Sequence, residues 1–300
     1  MPNKEKSLTA INKSTNDRFF GNIVPLLIER LWDLNPSLFL NLVEELFMRP
    51  TPYVVREKEK RFMDLANRET LFIEETFQTV TLYEWTHEDK NKPWVIISHG
   101  WAARASQLSF IAERLFLQGH NVVSYDQTAH GESTGSATNF FDFVLVQSKV
   151  IQRYPNATKI VAHSMACSAT LANIPTHPWI KDIVLISPHR DILAEIGNWF
   201  NRAGIKGRLL NSIIEHMSAR YNLNFDKIRS SIAETLETRQ ILIIHDTNDH
   251  ECAYRESQKL AREAPQSQLF TTKGLGHYRI VRAESVLEKV AEWFGDFKEC

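Results

Sequence analysis

The sequence predicts an α/β fold, a mostly parallel central sheet flanked by helices, and three observations point to it. From Phe72 onward, short β-branched runs alternate with helical patterns, the arrangement expected of repeated βα units. Each run stops just ahead of a loop rich in small or polar residues, as strands do where an open sheet presents its chemistry. The chain of 300 residues is long enough to bury a full core in one large domain with additions.

The elements follow in order. Glu69 to Glu75 and Gln78 to Trp85 read as an opening strand pair, and Trp94 to His99, Asn121 to Tyr125 and Lys159 to His163 as the next strands. Asp182 to Ser187, Gln240 to His245 and Gln268 to Thr272 complete the set. About fifty residues of helical character separate the strands at Asp182 and Gln240, where a crossover needs only a dozen or so. This insertion, about 189–238, is expected to form a helical cap, the other reading being one crossover helix plus a surface excursion. Its apolar residues Ile196, Trp199, Phe200, Leu209, Leu210, Ile213 and Ile214 suit an apolar acyl group and would equally serve a core.

Ahead of the sheet, residues 1–68 read as a polar tail followed by a helical N-terminal extension, leaving 69–300 as the main domain. Asn35-Pro36 is a good helix start, a capping asparagine before a proline at the first helical residue. An apolar stripe of Leu38, Leu42, Val43, Leu46 and Phe47 follows at helical spacing. Packing on the main domain is the expected role, with a homodimer interface or weak peripheral membrane contact as the alternatives; the polar face lacks the lysine and arginine of a surface-bound helix.

Composition excludes several classes. With 35 basic and 36 acidic side chains the chain offers nucleic acid or an anionic bilayer no bulk attraction. No apolar run approaches the roughly 20 residues of a membrane-spanning helix. Met1 to Asp17 lacks the pattern of a secretory leader, and the three cysteines, Cys167, Cys252 and Cys300, have no metal-ligand spacing, so a cytoplasmic protein with reduced thiols is expected. No zinc cluster and no phosphate-cradling glycine motif is present, so neither a metal nor a cofactor is called for.

The chemistry concentrates in Lys159 to Thr170, where a short apolar strand delivers Ser164 into a sharp turn. A serine hydroxyl is a weak nucleophile until the backbone lifts it toward a base and beside free amide donors, which a strand-to-helix elbow does. The turn needs small residues two before and two after the serine, here Ala162 and Ala166, where glycine is usual. Downstream, two aspartates, Asp246 and Asp249, follow one strand end, and His277 sits between Gly276 and Tyr278 after another. An imidazole there suits proton transfer near neutral pH.

Five motifs in this order, Ser98-His-Gly-Trp-Ala-Ala-Arg-Ala-Ser-Gln107, Tyr125-Asp-Gln-Thr-Ala-His-Gly-Glu-Ser133, Ala162-His-Ser-Met-Ala166, the Asp249 loop and Gly274-Leu-Gly-His-Tyr-Arg-Ile280, resemble the α/β-hydrolase superfamily. More narrowly they are similar to its bacterial esterase and lipase-like members with a His-Gly-Trp oxyanion loop. The resemblance covers Phe72 to the carboxyl end and implies an α/β-hydrolase fold and a Ser-Asp-His order of catalytic residues. It implies Ser164 as nucleophile, His277 as base and, by alignment with a His-Gly-x-x-Asp pattern, Asp249 rather than Asp246 as the acid, Asp246 standing in the glycine's place. It further implies an oxyanion hole from the backbone N–H groups of Trp101 and Met165, with Gly100 letting the loop turn. Asp126 and His130 are expected to order their turn, His163 to pack below the strand and Cys167 to be buried.

The implied activity is cleavage of a small-molecule carboxylic ester through an acyl-enzyme, without cofactor or metal. A thioesterase, an amidase or an acyltransferase would use the same parts. Dehalogenase and epoxide hydrolase chemistry is disfavoured, since those members place aspartate where Ser164 stands. The alanines of the elbow keep open a lapsed scaffold that binds a ligand or partner.

Overall fold

A computed structural model describes residues 30–39, 48–89, 92–191, 194, 197, 200–201, 205–220 and 225–295. The chain divides into two compact units, one of Met1–Phe47 with Asp191–Asn224, the other of Met48–Arg190 with Phe225–Cys300.

The larger unit is built on eight strands: β1 Asn67–Ile73, β2 Gln78–Trp85, β3 Trp94–Ser98, β4 Asn121–Tyr125, β5 Ala157–His163, β6 Asp182–Ile186, β7 Gln240–Asp246 and β8 Ser267–Thr272. Their order across the sheet is β1-β2-β4-β3-β5-β6-β7-β8. The opening pair is antiparallel, β2 meets β4 antiparallel, and every later pairing is parallel. All eight strand positions read from the sequence are found, with shifts only at their ends.

Apolar runs mark these strands because both faces are covered. On β6, Ile183 and Leu185 enter one core and Val184 and Ile186 the other, following the two-residue period of a strand. The first core is closed by helices that include Phe140–Arg153 and Met165–Asn173. The second is closed by Glu57–Met63, Ser109–Leu117 and Glu284–Phe294. Asn139 starts the helix at Phe140: its side chain accepts from the N–H groups of Phe141 (2.8 Å) and Asp142 (3.2 Å).

Two boundaries differ from the sequence reading. Glu57–Met63, assigned there to the N-terminal extension, belongs to the larger unit, where Phe62 stacks on Trp85 at 4.8 Å. Phe225–Leu236, counted there as part of the insertion, also belongs to the larger unit and packs against Met165–Asn173 as an ordinary crossover helix. The residues in excess of a crossover are therefore 191–224.

In the smaller unit Asn35 caps residues 36–39 as expected, accepting from the Leu38 N–H at 3.0 Å, and Asp33 pairs with Arg208 of the helix Gly207–Arg220 at 3.2 Å. Leu38 is 54% exposed, however, and it is Phe39 that is buried, its ring edge-on to Trp32. Leu42, Val43, Leu46 and Phe47 of the expected stripe, and Ile196 and Trp199 of the insertion, lie outside the described residues. Among the described residues no helix is long and apolar enough to cross a membrane, and no group of His, Cys, Asp and Glu could hold a metal ion.

Candidate active site

The carboxyl ends of β3, β4, β5, β7 and β8 bring the five sequence motifs to one edge of the sheet. β5 ends at His163, the helix begins at Met165, and Ser164 between them has φ 57° and ψ −124°. A left-handed φ is strained for any residue with a side chain, and such strain gathers at functional sites. Hydrogen bonds hold it there: the Ser164 N–H donates to the Ile186 carbonyl and the Cys167 N–H to that of Ser164, each at 2.9 Å. Ala162 and Ala166 are fully buried, so methyl groups fill the places where the usual elbow has glycine. Met165 is the first residue of its helix, so its N–H has no acceptor within that helix.

Ser164 and His277 meet. The Ser164 Oγ lies 2.9 Å from His277 Nε2, and His277 Nδ1 lies 2.7 Å from Asp249 Oδ2. An ionised carboxylate only accepts, so the proton sits on Nδ1 and leaves Nε2 to accept from the serine hydroxyl. Asp249 is well satisfied: its Oδ1 accepts from the N–H groups of Glu251 and Cys252, both at 2.9 Å. Burial alone would raise this carboxyl, but contacts with His245 and His277 outweigh it and hold Asp249 well below the usual carboxylate range. Asp246 takes no part in this chain of hydrogen bonds; its carboxylate faces backbone N–H groups and Thr272.

Gly100 sits where the sequence reading placed it, for a different reason. Its backbone is not among the left-handed positions; Ala102, at φ 50°, turns the loop instead. Glycine is needed for space, because a Cβ at position 100 would stand 2.7 Å from Ser164 Cβ and 3.0 Å from the His163 carbonyl. The loop thus lies against the elbow and carries Trp101, its ring edge-on to His130 at 5.7 Å, directly beside it.

Two buried histidines tie this loop to its neighbour. His99 Nε2 accepts from the Gln127 N–H at 2.9 Å while its Nδ1–H donates to the Gly100 carbonyl at 2.7 Å. Reciprocally, His130 Nε2 accepts from the Ala102 N–H at 3.0 Å and its Nδ1–H donates to the Thr128 carbonyl at 2.9 Å. Burial pushes both rings down, His99 to about 4 and His130 to about 3. Asp126 accepts from the N–H groups of Ala105 and Glu132, each at 2.8 Å, and from Tyr83 Oη at 2.9 Å, a turn-ordering role.

Cys167 is fully buried, with its thiol toward the Ala162 and Ile186 carbonyls, and burial pushes its pKa upward. His163 is buried and donates from Nε2 to the His277 backbone carbonyl at 3.0 Å. Burial, then the neighbouring His277, holds its ring well below the ordinary histidine range, so it is neutral. Sequence reasoning missed His245, whose fully buried ring has Nε2 3.3 Å from Asp249 Oδ2 and 3.2 Å from the Cys252 carbonyl. Its Nδ1 accepts from Ser257 Oγ at 2.6 Å. The available signal was a histidine ending an otherwise apolar strand run four residues before Asp249.

The sheet order, with its second strand antiparallel and the rest parallel, and the strained serine elbow after β5 define an α/β-hydrolase. The chain belongs to the family described as serine aminopeptidase, S33, which matches residues 89–240, half of its length. Among solved structures, an esterase from Pyrococcus furiosus shares 20% identity and a TM-score of 0.58, the match covering 82% of this chain and 98% of that one. Est1E from Butyrivibrio proteoclasticus, with ferulic acid bound, is 18% identical with a TM-score of 0.57, covering 75% and 97%. A bromoperoxidase from Bacillus anthracis is 14% identical with a TM-score of 0.56, covering 76% and 99%. At these identities the likeness is one of fold. No curated relative matches the chain in sequence.

Proposed function

We propose that the protein is a serine hydrolase that cleaves small-molecule carboxylic esters through an acyl-enzyme on Ser164. The observation that carries this reading is the unbroken hydrogen-bonded run from Ser164 through His277 to Asp249, anchored on a strained elbow. Ser164 Oγ attacks the acyl carbon as His277 Nε2 takes its proton. The resulting imidazolium is stabilised and oriented by Asp249, which keeps its own charge. The tetrahedral oxyanion is held by the N–H groups of Trp101 and Met165, and collapse expels the alcohol, which leaves with the proton returned by His277. Water, activated by the same imidazole, attacks the acyl-enzyme and releases the acid.

The alanine elbow that would suit a lapsed scaffold is offset by this aligned chain of donors and acceptors. The family description supports a second reading, attack on an amide by the same residues. A location in the cytoplasm is in keeping with the buried thiol of Cys167.

A panel of p-nitrophenyl esters of increasing acyl length, acyl thioesters and aminoacyl anilides separates these readings. Turnover of esters above the other classes, lost in Ser164→Ala, is expected. Turnover confined to anilides would move the assignment to an aminopeptidase, and turnover surviving Ser164→Ala would contradict the nucleophile.

A further inference from the structure

We propose that Asp246 is a positioning residue, a carboxylate clasp that fixes the loop carrying the base His277 against the loop carrying the acid Asp249. The proposal rests on the reading of Ser164, His277 and Asp249 given above.

Asp246 ends β7, and its side chain is fully buried. Each oxygen is filled twice. Oδ1 accepts from the Asn248 N–H at 2.9 Å and the Gly274 N–H at 3.1 Å. Oδ2 accepts from the Leu275 N–H at 2.9 Å and Thr272 Oγ1 at 2.7 Å. Four donors and no acceptor describe a site built for an ionised carboxylate, and hydrogen bonds to a charged acceptor are about twice as strong as neutral ones. Burial pushes this group up, and the bonds from Leu275, Thr272 and Asn248 pull it lower than burial raises it.

The partners' positions give the clasp its purpose. Asn248 immediately precedes Asp249, whereas Thr272, Gly274 and Leu275 lie on β8 and the segment that ends at His277. That segment contains Gly274 at φ +86° and Gly276 at φ +64°, two residues with the widest conformational freedom available to a chain. Asn248 Oδ1 adds a second acceptor for the Gly274 N–H at 3.2 Å. Without the clasp, two glycines would stand between β8 and the imidazole, and the place of His277 would rest on its own bonds, on Asn248 Oδ1 and on the Arg279 side chain, which donates to the Gly274 and Leu275 carbonyls at 2.6 and 2.9 Å. A displacement of 1 Å at a reacting group can lower a rate about a hundredfold. In the His-Gly-x-x-Asp pattern that this loop resembles, Asp246 stands in the glycine's place, so the carboxylate is a departure from that pattern.

The test is the rate constant for fluorophosphonate labelling of Ser164, per folded molecule, from pH 5 to 9, with thermal unfolding measured in parallel. Asp246→Asn should lower the rate about 10- to 100-fold and move its acid limb to lower pH. Both loss of alignment with Asp249 and loss of a nearby negative charge disfavour the imidazolium. Thr272→Val removes one donor with no change of charge and should lower the rate severalfold, while Thr272→Ser restores it. Should Asp246→Asn fail to fold, the Thr272 pair decides. Variants that unfold more readily yet label at the wild-type rate with an unmoved acid limb would overturn the clasp alone, leaving a staple of the fold. A wild-type chain that does not label at Ser164 would overturn the nucleophile reading and the clasp with it.

Discussion

At the residue scale, the site depends on places where one atom more would not fit. Gly100 is the sharpest case, since a methyl there would meet the Cβ of Ser164 and the backbone of His163, neither of which is a flexible end that can swing away. Gly100→Ala is therefore expected to displace either the loop after β3 or the elbow and, if that loop supplies the proposed oxyanion donor, to lower the labelling rate of Ser164 at least about a hundredfold. Circular dichroism should show the sheet retained; a variant that labels normally would show that the space at Gly100 does not matter to the site. The glycine was legible in the sequence as part of a motif, but its reason was not, because the crowding comes from the elbow 64 residues further along, at Ser164, rather than from the local turn. Ser164, Asp249 and His277 were legible because each follows a strand and their order is informative. His245 and the bonds of Asp246 were not, since both residues act through partners that only the folded sheet brings near.

At the element scale, the loops after β3 and β4 form one device. Each contributes a neutral histidine that accepts an N–H from the other, and protonation of either ring would convert its acceptor nitrogen to a donor facing a donor. The fold holds His99 near 4 and His130 near 3, whereas an unfolded chain titrates such rings near 6.5. Between these values the unfolded state binds more protons, so stability present above about pH 6.5 falls as pH drops toward 4. Each ring contributes a decline of up to about 1.4 kcal/mol per pH unit across its window. Urea unfolding at pH 7, 6 and 5 should show this decline, and His130→Phe, which cannot titrate, should show a shallower one. An equal slope in both proteins would mean that His130 is not held neutral by the fold. The motifs announced both loops, but not their reciprocal bonding.

At the scale of the whole molecule, the sheet was the most legible part. Buried parallel strands leave long β-branched runs, and alternating faces feed two separate cores, so all eight could be placed before any contact was known. Unit boundaries were less so. Sequence continuity suggested a leading extension and a separate insertion, whereas contacts join Met1–Phe47 with Asp191–Asn224 and leave Glu57–Met63 and Phe225–Leu236 with the sheet. Amphipathic helices look alike whichever unit they close, and nothing local distinguishes them.

The proposed chemistry requires that the fold activate one serine. Incubating the full-length protein with a fluorophosphonate and mapping the adduct by peptide mass spectrometry tests it without knowledge of the substrate. A single adduct on Ser164 is expected, absent in Ser164→Ala and lost or strongly slowed in His277→Ala and Asp249→Asn. A folded protein that takes no label, or one labelled equally well after His277→Ala, would contradict it.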